Sequence, residues 1–199
     1  SDILSLLVKT NENFHVDEQL THNELISQSR LRKEVLDAFT DPNHFPTFDE
    51  IEHLKYLDCV LKESLRIVPP VPGLIRYNLK DEILNGYFIP KNTLMMIPIH
   101  TIHHDPLIWG DDADWFNPSR WLDPEIKSKV SSSNFLPFSA GSKNCLGMKM
   151  ANLELKIIVS IIIRNLEFRL VDGFTFSKKF LGLAEPIPGI DLWVSKIDY

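Results

Sequence analysis

The chain has 199 residues, of which 44% are hydrophobic and 24% are charged, and its formal net charge is −6 at pH 7. This length is enough for one domain with a sizeable core, and the balance is that of a globular rather than a disordered protein. The acidic charge argues against a nucleic-acid partner, because nucleic-acid binders are normally basic. Cys59 and Cys145 form no C-x-x-C pair, so we exclude a zinc ribbon and expect two free thiols in a reducing compartment.

The amino-terminal segment 1–9 has no basic region and only a short apolar run, so we do not expect a signal peptide there. No segment reaches the roughly 18 apolar residues of a membrane span. Because the sequence begins at Ser1 rather than at a methionine, we expect it to be a piece of a longer protein.

Apolar side chains at helical spacing, such as Leu57, Leu61 and Leu65, predict helices near residues 18–39 and 49–67. Thr47 or Asp49 is expected to cap the second of these helices. The Pro69-Pro70 pair should end it, because proline cannot continue the hydrogen-bond ladder.

Turn-forming residues dominate the next part of the chain and predict short strands, at residues 74–79, 83–89 and 94–99. After His100 the sequence is rich in proline and tryptophan and has no clear period, and its tryptophans favour a packed loop. An apolar run then predicts a deeply buried helix near 146–165. Short strands are expected within 168–196, with turns at 172–173 and 188–189. The predicted fold class is mainly α with small β-sheets (α+β).

The segment 138–147, Phe-Ser-Ala-Gly-Ser-Lys-Asn-Cys-Leu-Gly, places Cys145 directly before the long predicted helix. The amino terminus of a helix favours an anion and so stabilises a thiolate. Residue types alone leave three interpretations open: a buried structural cysteine, a nucleophile with His103 or His104 as its base, and a thiolate metal ligand.

The spacing Phe-x-x-Gly-x-(Arg/Lys/His)-x-Cys-x-Gly resembles the heme-binding signature of the cytochrome P450 family. The matching positions are Phe138, Gly141, Lys143, Cys145 and Gly147. The resemblance implies that Cys145 is the metal ligand, a thiolate that pushes electron density onto the iron of heme (iron protoporphyrin IX) and favours O–O cleavage. It also implies that Phe138 shields the sulfur side of the heme. Lys143 would reach a propionate, without the planar fork that arginine offers.

Glu63 and Arg66 stand one turn apart on the second predicted helix, where any helix could make a surface ion pair worth under ~1 kcal/mol. Segment 56–66 resembles the K helix of the P450 family, and segment 116–121 resembles its later Pro-x-Arg motif. The resemblance implies that Glu63, Arg66 and Arg120 form a buried charged triad behind the heme. Segment 69–76 resembles the stretch along the heme edge, so Arg76 is a candidate for the second propionate, with an exposed strand arginine as the alternative.

His100, His103 and His104 could suggest a metal site, but residues 103–106 resemble a structural turn of the same family. Members of the family also carry an oxygen-activating motif, Ala-Gly-x-Asp/Glu-Thr, on a helix across the distal heme face. No glycine precedes Gly73, so this motif is absent and no catalytic residue can be identified. We expect the distal helix to be cut out between residues 28 and 29, and the apolar surface left bare to invite aggregation.

The resemblance covers almost all of residues 1–199 and implies one partial P450 domain. Its expected parts are a helical segment (18–67), short strands and a meander (71–137), the cysteine loop with the proximal helix (138–165), and carboxy-terminal strands (166–199).

The implied activity is that of a heme-thiolate monooxygenase, which inserts one atom of O2 into a lipophilic small molecule. Its electrons would come from an NADPH-dependent reductase or another donor. Full-length relatives would be intracellular, at the endoplasmic reticulum membrane, attached through parts outside this chain. The alternatives are a non-catalytic remnant that binds heme weakly or not at all, and a cysteine hydrolase.

Overall fold

Helices are the most abundant element of the computed structural model, which describes residues 22–41, 43–171 and 177–197. The helices are α1 (His22–Ala38), α2 (Phe48–Glu52), α3 (Lys55–Ile67), α4 (Ile99–His103), α5 (Pro106–Trp109), α6 (Pro124–Lys129) and α7 (Met148–Asn165), with 3-10 turns at Pro118–Leu122 and Gly141–Lys143. The strands pair antiparallel in twos: β1 (Leu74–Tyr77) with β4 (Leu94–Ile97), β2 (Glu82–Leu84) with β3 (Tyr87–Ile89), β5 (Leu166–Leu170) with β8 (Leu192–Lys196), and β6 (Ser177–Leu181) with β7 (Leu183–Ile187). The predicted α+β class is confirmed.

The predicted helix at 49–67 is wrong in one respect, because the chain forms two helices there. Leu54 breaks the run with a non-helical backbone, and α3 starts at the next residue. The carboxylate of Glu34, on α1, accepts hydrogen bonds of 2.8 Å from the backbone N–H groups of Tyr56 and Leu57. These are amides that a helix start leaves without an internal partner. A side chain of another helix therefore caps α3, and no local sequence pattern reveals such a cap.

Thr47 caps α2, as predicted. Its hydroxyl accepts a hydrogen bond from the N–H of Glu50, and the Glu50 side chain accepts from the N–H of Thr47. This reciprocal arrangement is a capping box, which satisfies two amides at once. The pairing lowers the pKa of Glu50 to about 2, mainly through the backbone N–H of Thr47 and then through His44.

The single strand predicted at 83–89 is wrong, since β2 and β3 form a hairpin around Asn85 and Gly86. Both residues have positive φ angles, 50° and 83°. Such angles are typical of the two-residue turns whose twist suits a hairpin. The strand predicted at 94–99 is also too long: β4 ends at Ile97, and α4 begins at Ile99.

The proline- and tryptophan-rich stretch after His100 is packed, as its tryptophans indicated, but it is not structureless. It contains α5 and α6, each beginning with a proline after an aspartate cap, Asp105 or Asp123. Proline suits the first turn of a helix because it has no N–H to leave unsatisfied. The rings of Trp109 and Trp121 stand 5.5 Å apart, and Trp109 is fully buried. This aromatic pair packs into the same core as α1 and α3.

The prediction that the helix near 146–165 is deeply buried is wrong for α7. The residues of α7 that are buried are polar: Lys156, Ser160 and Arg164, spaced by four and therefore on one face. Lys156 Nζ lies 3.0 Å from a Glu52 carboxylate oxygen, and Arg164 donates to the carbonyl of His44 at 2.7 Å. Met150 and Ile158, in contrast, are more than half exposed. An apolar helix thus turns this polar stripe inward, because α2 offers the Glu52 carboxylate and the loop before α2 offers the carbonyl of His44.

The carboxy-terminal part consists of strands, as predicted. The predicted turn at 188–189 lies between β7 and β8, and the one at 172–173 lies outside the described residues. Across the described parts of the chain, no helix has both the length and the apolar character needed to cross a membrane.

Candidate functional site

Glu63, on α3, is the centre of a buried charged cluster and has no exposed surface. One of its oxygens accepts hydrogen bonds from Arg66 Nη2 at 2.8 Å, Arg120 Nε at 2.9 Å and the backbone N–H of Asn117 at 2.8 Å. The other accepts from Arg66 Nε at 3.0 Å and from Trp121 Nε1 at 2.9 Å. A buried carboxylate is tolerable only when it is paired and hydrogen-bonded in this way. The structure thus brings Glu63, Arg66 and Arg120 together.

The two arginines bind the meander, which is the stretch from α4 to the 3-10 turn at Pro118–Leu122, to α3. Arg66 Nη1 donates to the carbonyls of His103 and Ala113, and Arg120 Nη1 donates to the carbonyl of Trp109 at 2.8 Å. A guanidinium has five N–H donors in a fixed fork, so one side chain can bind a carboxylate and several carbonyls at once. The two arginine side chains therefore fix the backbone of the meander around the charged cluster.

Asp112 belongs to the cluster, although no sequence motif singles it out. Its Oδ1 lies 2.9 Å from Arg120 Nη1, and its Oδ2 accepts from Asn117 Nδ2 at 3.1 Å. Partial burial would raise the pKa of Asp112, but the hydrogen bonds from Asn117 and Arg120 outweigh burial and lower it. Two carboxylates consequently face two guanidiniums, and the cluster is electrically balanced.

His103, at the end of α4, is fully buried beside the cluster. Its Nδ1 lies 3.2 Å from the carbonyl oxygen of Arg66, and its Nε2 lies 2.8 Å from the backbone nitrogen of Leu136. A carbonyl only accepts and an amide only donates, so Nδ1 carries the proton and Nε2 is the acceptor. Burial is the main cause that lowers the pKa of His103, to about 4. The ring is therefore neutral at physiological pH.

The cysteine loop, residues 136–147, starts at Leu136 and leads into α7. The Cys145 amide donates to the carbonyl of Phe138 at 2.8 Å, which closes the loop on itself. Ser139 and Gly141 have positive φ angles of 63° and 74°. The thiol of Cys145 is exposed and free, while Cys59 is free and buried, so the expectation of two free thiols is confirmed.

Two cations lie on or against this loop. Arg76, on β1, donates from Nη2 to the hydroxyl of Ser139 at 3.4 Å, so it is a partner of the cysteine loop and not simply an exposed strand arginine. Lys143, in the 3-10 turn at Gly141–Lys143, is exposed. Phe138 is half-buried at the start of the loop.

The loop fits a flat, anionic iron macrocycle. A Cβ added at Gly147 would stand 4.0 Å from Cys145 Sγ, and one added at Gly141 would meet nothing within 4 Å, so the backbone is open at both glycines and Gly147 lies beside the sulfur. Leu146 beside them is fully exposed and apolar. A cysteine sulfur, two cations and an exposed apolar side chain are groups that a thiolate-ligated heme with two propionates would contact.

The geometry disfavours the other interpretations of Cys145. An exposed thiol is not a buried structural cysteine. Both ring nitrogens of His103 are engaged by Arg66 and Leu136, so this ring is not free to serve Cys145 as a base, and His104 Nδ1 is held 2.8 Å from the carbonyl of His100. Among the described residues, no group of three His, Cys, Asp or Glu side chains could hold a metal ion.

Comparison with known proteins gives the same picture. The family model "Cytochrome P450" matches residues 20–192. Cytochrome P450 734A5 of Oryza sativa subsp. japonica is 37% identical over 160 residues, which are 80% of this chain and 30% of that protein. Two proteins of Catharanthus roseus are also similar: 7-deoxyloganic acid hydroxylase, 36% identical over 170 residues (85% of this chain, 32% of the relative), and secologanin synthase 1, 34% identical over 171 residues (86% and 32%).

The chain belongs to the cytochrome P450 family. It spans about a third of the length of the curated relatives that it matches.

Proposed function

We propose that this chain forms the proximal half of a heme-thiolate site, with Cys145 as the ligand of the heme iron. The observation that carries the proposal is the exposed and free Cys145 on the glycine-containing loop before α7. Cys145 would hold the iron through Sγ as a thiolate, its proton passing to solvent. Lys143 and Arg76 would neutralise the propionates, and Phe138 would lie on the sulfur side. Gly141 and Gly147 would let the backbone lie close to the ring.

The charged cluster has a supporting task in this proposal. Glu63, Arg66 and Arg120 fix the meander, and the meander lies against the start of the cysteine loop. The loop must hold one sulfur in one place, so the residues behind it must be rigid.

In the complete protein we propose monooxygenation: one atom of O2 enters a lipophilic small molecule, with electrons from an NADPH-dependent reductase or another donor. Heme supplies the oxygen chemistry, and the protein supplies binding, orientation and electrostatics. Two similar proteins carry the names of a hydroxylase and of secologanin synthase, which supports this class of reaction without naming a substrate for this chain.

A second candidate is a non-catalytic remnant that binds heme weakly. It is favoured by the broad apolar surface left bare, which includes Met150 and Ile158 on α7 and Ile75 and Met96 on the β1–β4 sheet. Turnover of a substrate by this chain alone would contradict the remnant.

The test is the ferrous–CO spectrum of the purified chain after addition of heme. Thiolate ligation gives a Soret band shifted to the red of the band from histidine ligation. We expect the shifted band in the wild type and in Cys59→Ala, whose thiol lies in the core, but not in Cys145→Ala. If no shifted band forms, or if Cys145→Ala keeps it, Cys145 is not the ligand.

A further inference from the structure

His103 occupies the junction between the charged cluster and the cysteine loop. Its ring bridges two backbone groups from distant parts of the chain: the carbonyl of Arg66 at the end of α3 and the amide of Leu136 at the start of the cysteine loop. Arg66 returns the contact by donating from Nη1 to the carbonyl of His103 at 2.7 Å. Each residue thus binds the other's backbone carbonyl.

From Leu136 the hydrogen bonds continue toward the thiol. The carbonyl of Leu136 accepts from the Ser139 amide at 3.0 Å, and the carbonyl of Phe138 accepts from the Cys145 amide at 2.8 Å. The Ser139 hydroxyl is in turn the acceptor for Arg76. The start of this chain of contacts is the Leu136 amide, and its partner is the His103 ring.

We propose that His103 is a positioning residue for Cys145: its neutral ring fixes the Leu136 amide and thereby sets the place of the cysteine loop relative to the charged cluster. The proposal concerns the arrangement of the loop, and its connection to the iron rests on the proposed function. His103 does not touch Cys145 in this scheme and takes no part in the chemistry.

The surroundings of the ring explain why a neutral histidine suits this position. The charged or titratable neighbours are the Arg66 guanidinium and His104, both of which disfavour a second positive charge. The remaining neighbours are the aromatic rings of Trp109 and Phe135, with centroids at 6.4 Å and 5.4 Å. Among the described residues, Arg66 and His104 are the charged groups that act most strongly on the pKa of His103, and Glu63 already accepts from five donors of its own.

Two amide substitutions separate the two ring contacts. In His103→Asn the amide reaches the position of Nδ1, so it can donate to the Arg66 carbonyl but leaves the Leu136 amide without an acceptor. In His103→Gln the amide reaches the position of Nε2, so its oxygen can accept from Leu136. His104→Leu is the matched control, because among the described residues its side chain hydrogen-bonds to the carbonyl of the neighbouring His100 and to neither Arg66 nor Leu136.

The first readout is amide hydrogen exchange in the chain without heme. Loss of one net hydrogen bond corresponds to roughly a tenfold change in an equilibrium constant, so we expect the Cys145 amide to exchange about tenfold faster in His103→Asn. Amides in the middle of α3 should change by less than about threefold. His103→Gln and His104→Leu should keep the wild-type rate at Cys145.

If His103→Asn speeds amide exchange in α3 as much as at Cys145, His103 is merely structural. If it leaves the exchange rate of the Cys145 amide unchanged, the proposal is overturned directly. If His103→Asn does not fold, His103→Gln decides, since loss of protection at Cys145 in that variant also overturns it.

The second readout is the ferrous–CO spectrum. In His103→Asn a smaller fraction of the bound heme should show the red-shifted thiolate band, and His103→Gln should restore it. A wild-type fraction in His103→Asn counts against the proposal. If the wild-type chain gives no thiolate band, the proposed function fails, whereas the exchange comparison still decides the role of His103.

Discussion

Replacement of Glu63 by glutamine tests whether the charged cluster holds the fold together. The change keeps the size of the side chain but removes the carboxylate that Arg66 and Arg120 share. An amide nitrogen would then face N–H donors, and Asp112, whose side chain is 46% exposed, would be the remaining carboxylate partner. Removal of one partner from a buried ion pair typically costs about 3–5 kcal/mol.

That cost is a large part of the roughly 5–15 kcal/mol by which a domain is stable. For a chain of this size, each kcal/mol lost from the free energy of unfolding lowers the midpoint of thermal unfolding by about 2–4 °C, so this midpoint should be roughly 10 °C lower in Glu63→Gln.

The assay is urea unfolding followed by circular dichroism, with Asp37→Asn as the control. Asp37 pairs with Lys33 on the surface of α1, where the two side chains are 65% and 75% exposed. Loss of such a pair should cost no more than about 0.5 kcal/mol. If Glu63→Gln costs about as little as Asp37→Asn, the cluster does not stabilise the fold as we reason.

Three further predictions concern pH, capping and surface. The pKa of His103 is lowered to about 4, so its contribution to stability is complete above pH 6.5 and is lost as the pH falls toward 4. This loss totals about 3 kcal/mol. When the free energy of unfolding is measured with urea over a pH series, its decrease between pH 6.5 and 4 should be smaller by that amount in His103→Gln. Thr47→Ala should cost about 1 kcal/mol by opening the capping box of α2, whereas an alanine at the exposed Ser132 should cost nothing measurable; equal losses would refute the capping role. The double variant Met150→Gln, Ile158→Gln should change the free energy of unfolding by less than about 0.5 kcal/mol and should reduce self-association in analytical ultracentrifugation. The control Leu57→Ala, in the core, should lower the free energy of unfolding by about 2–5 kcal/mol. A large loss of stability in the double variant would show that α7 buries Met150 and Ile158.

Several local signals in the sequence were informative. The capping residue Thr47 and the packing of the tryptophan-rich stretch follow from side chains and their near neighbours, whereas the hairpin turn at Asn85 and Gly86 was missed although its signal is local. The hydrophobic periodicity also predicted α1 and the class of fold.

Contacts between distant residues were beyond local patterns. The break at Leu54 depends on the Glu34 carboxylate, which arrives from α1. The inward charged stripe of α7 depends on carboxylates and carbonyls that only the folded chain brings near. A run of apolar residues predicts a helix but does not tell which of its faces is covered.

The candidate site divides in the same way. Cys145, Glu63, Arg66 and Arg120 were singled out by spacings that resemble a family, and the structure places the last three in contact. The contact of Asp112 and the two contacts of the His103 ring are seen only in the structure, because their partners are distant in sequence. Arg120 is 8 positions from Asp112, and Leu136 and Arg66 are 33 and 37 positions from His103. The predicted junction between Gln28 and Ser29 lies within the continuous helix α1. A continuous helix does not test whether a distal helix was lost at this point, so that loss stays a prediction.

The most direct test of the central claim is the first coordination shell of the iron. X-ray absorption at the iron edge of the heme-loaded chain should show a sulfur neighbour in the wild type and in Cys59→Ala, and none in Cys145→Ala. A wild-type shell of nitrogen and oxygen alone, or a sulfur neighbour that persists in Cys145→Ala, would contradict the assignment of Cys145 as the ligand.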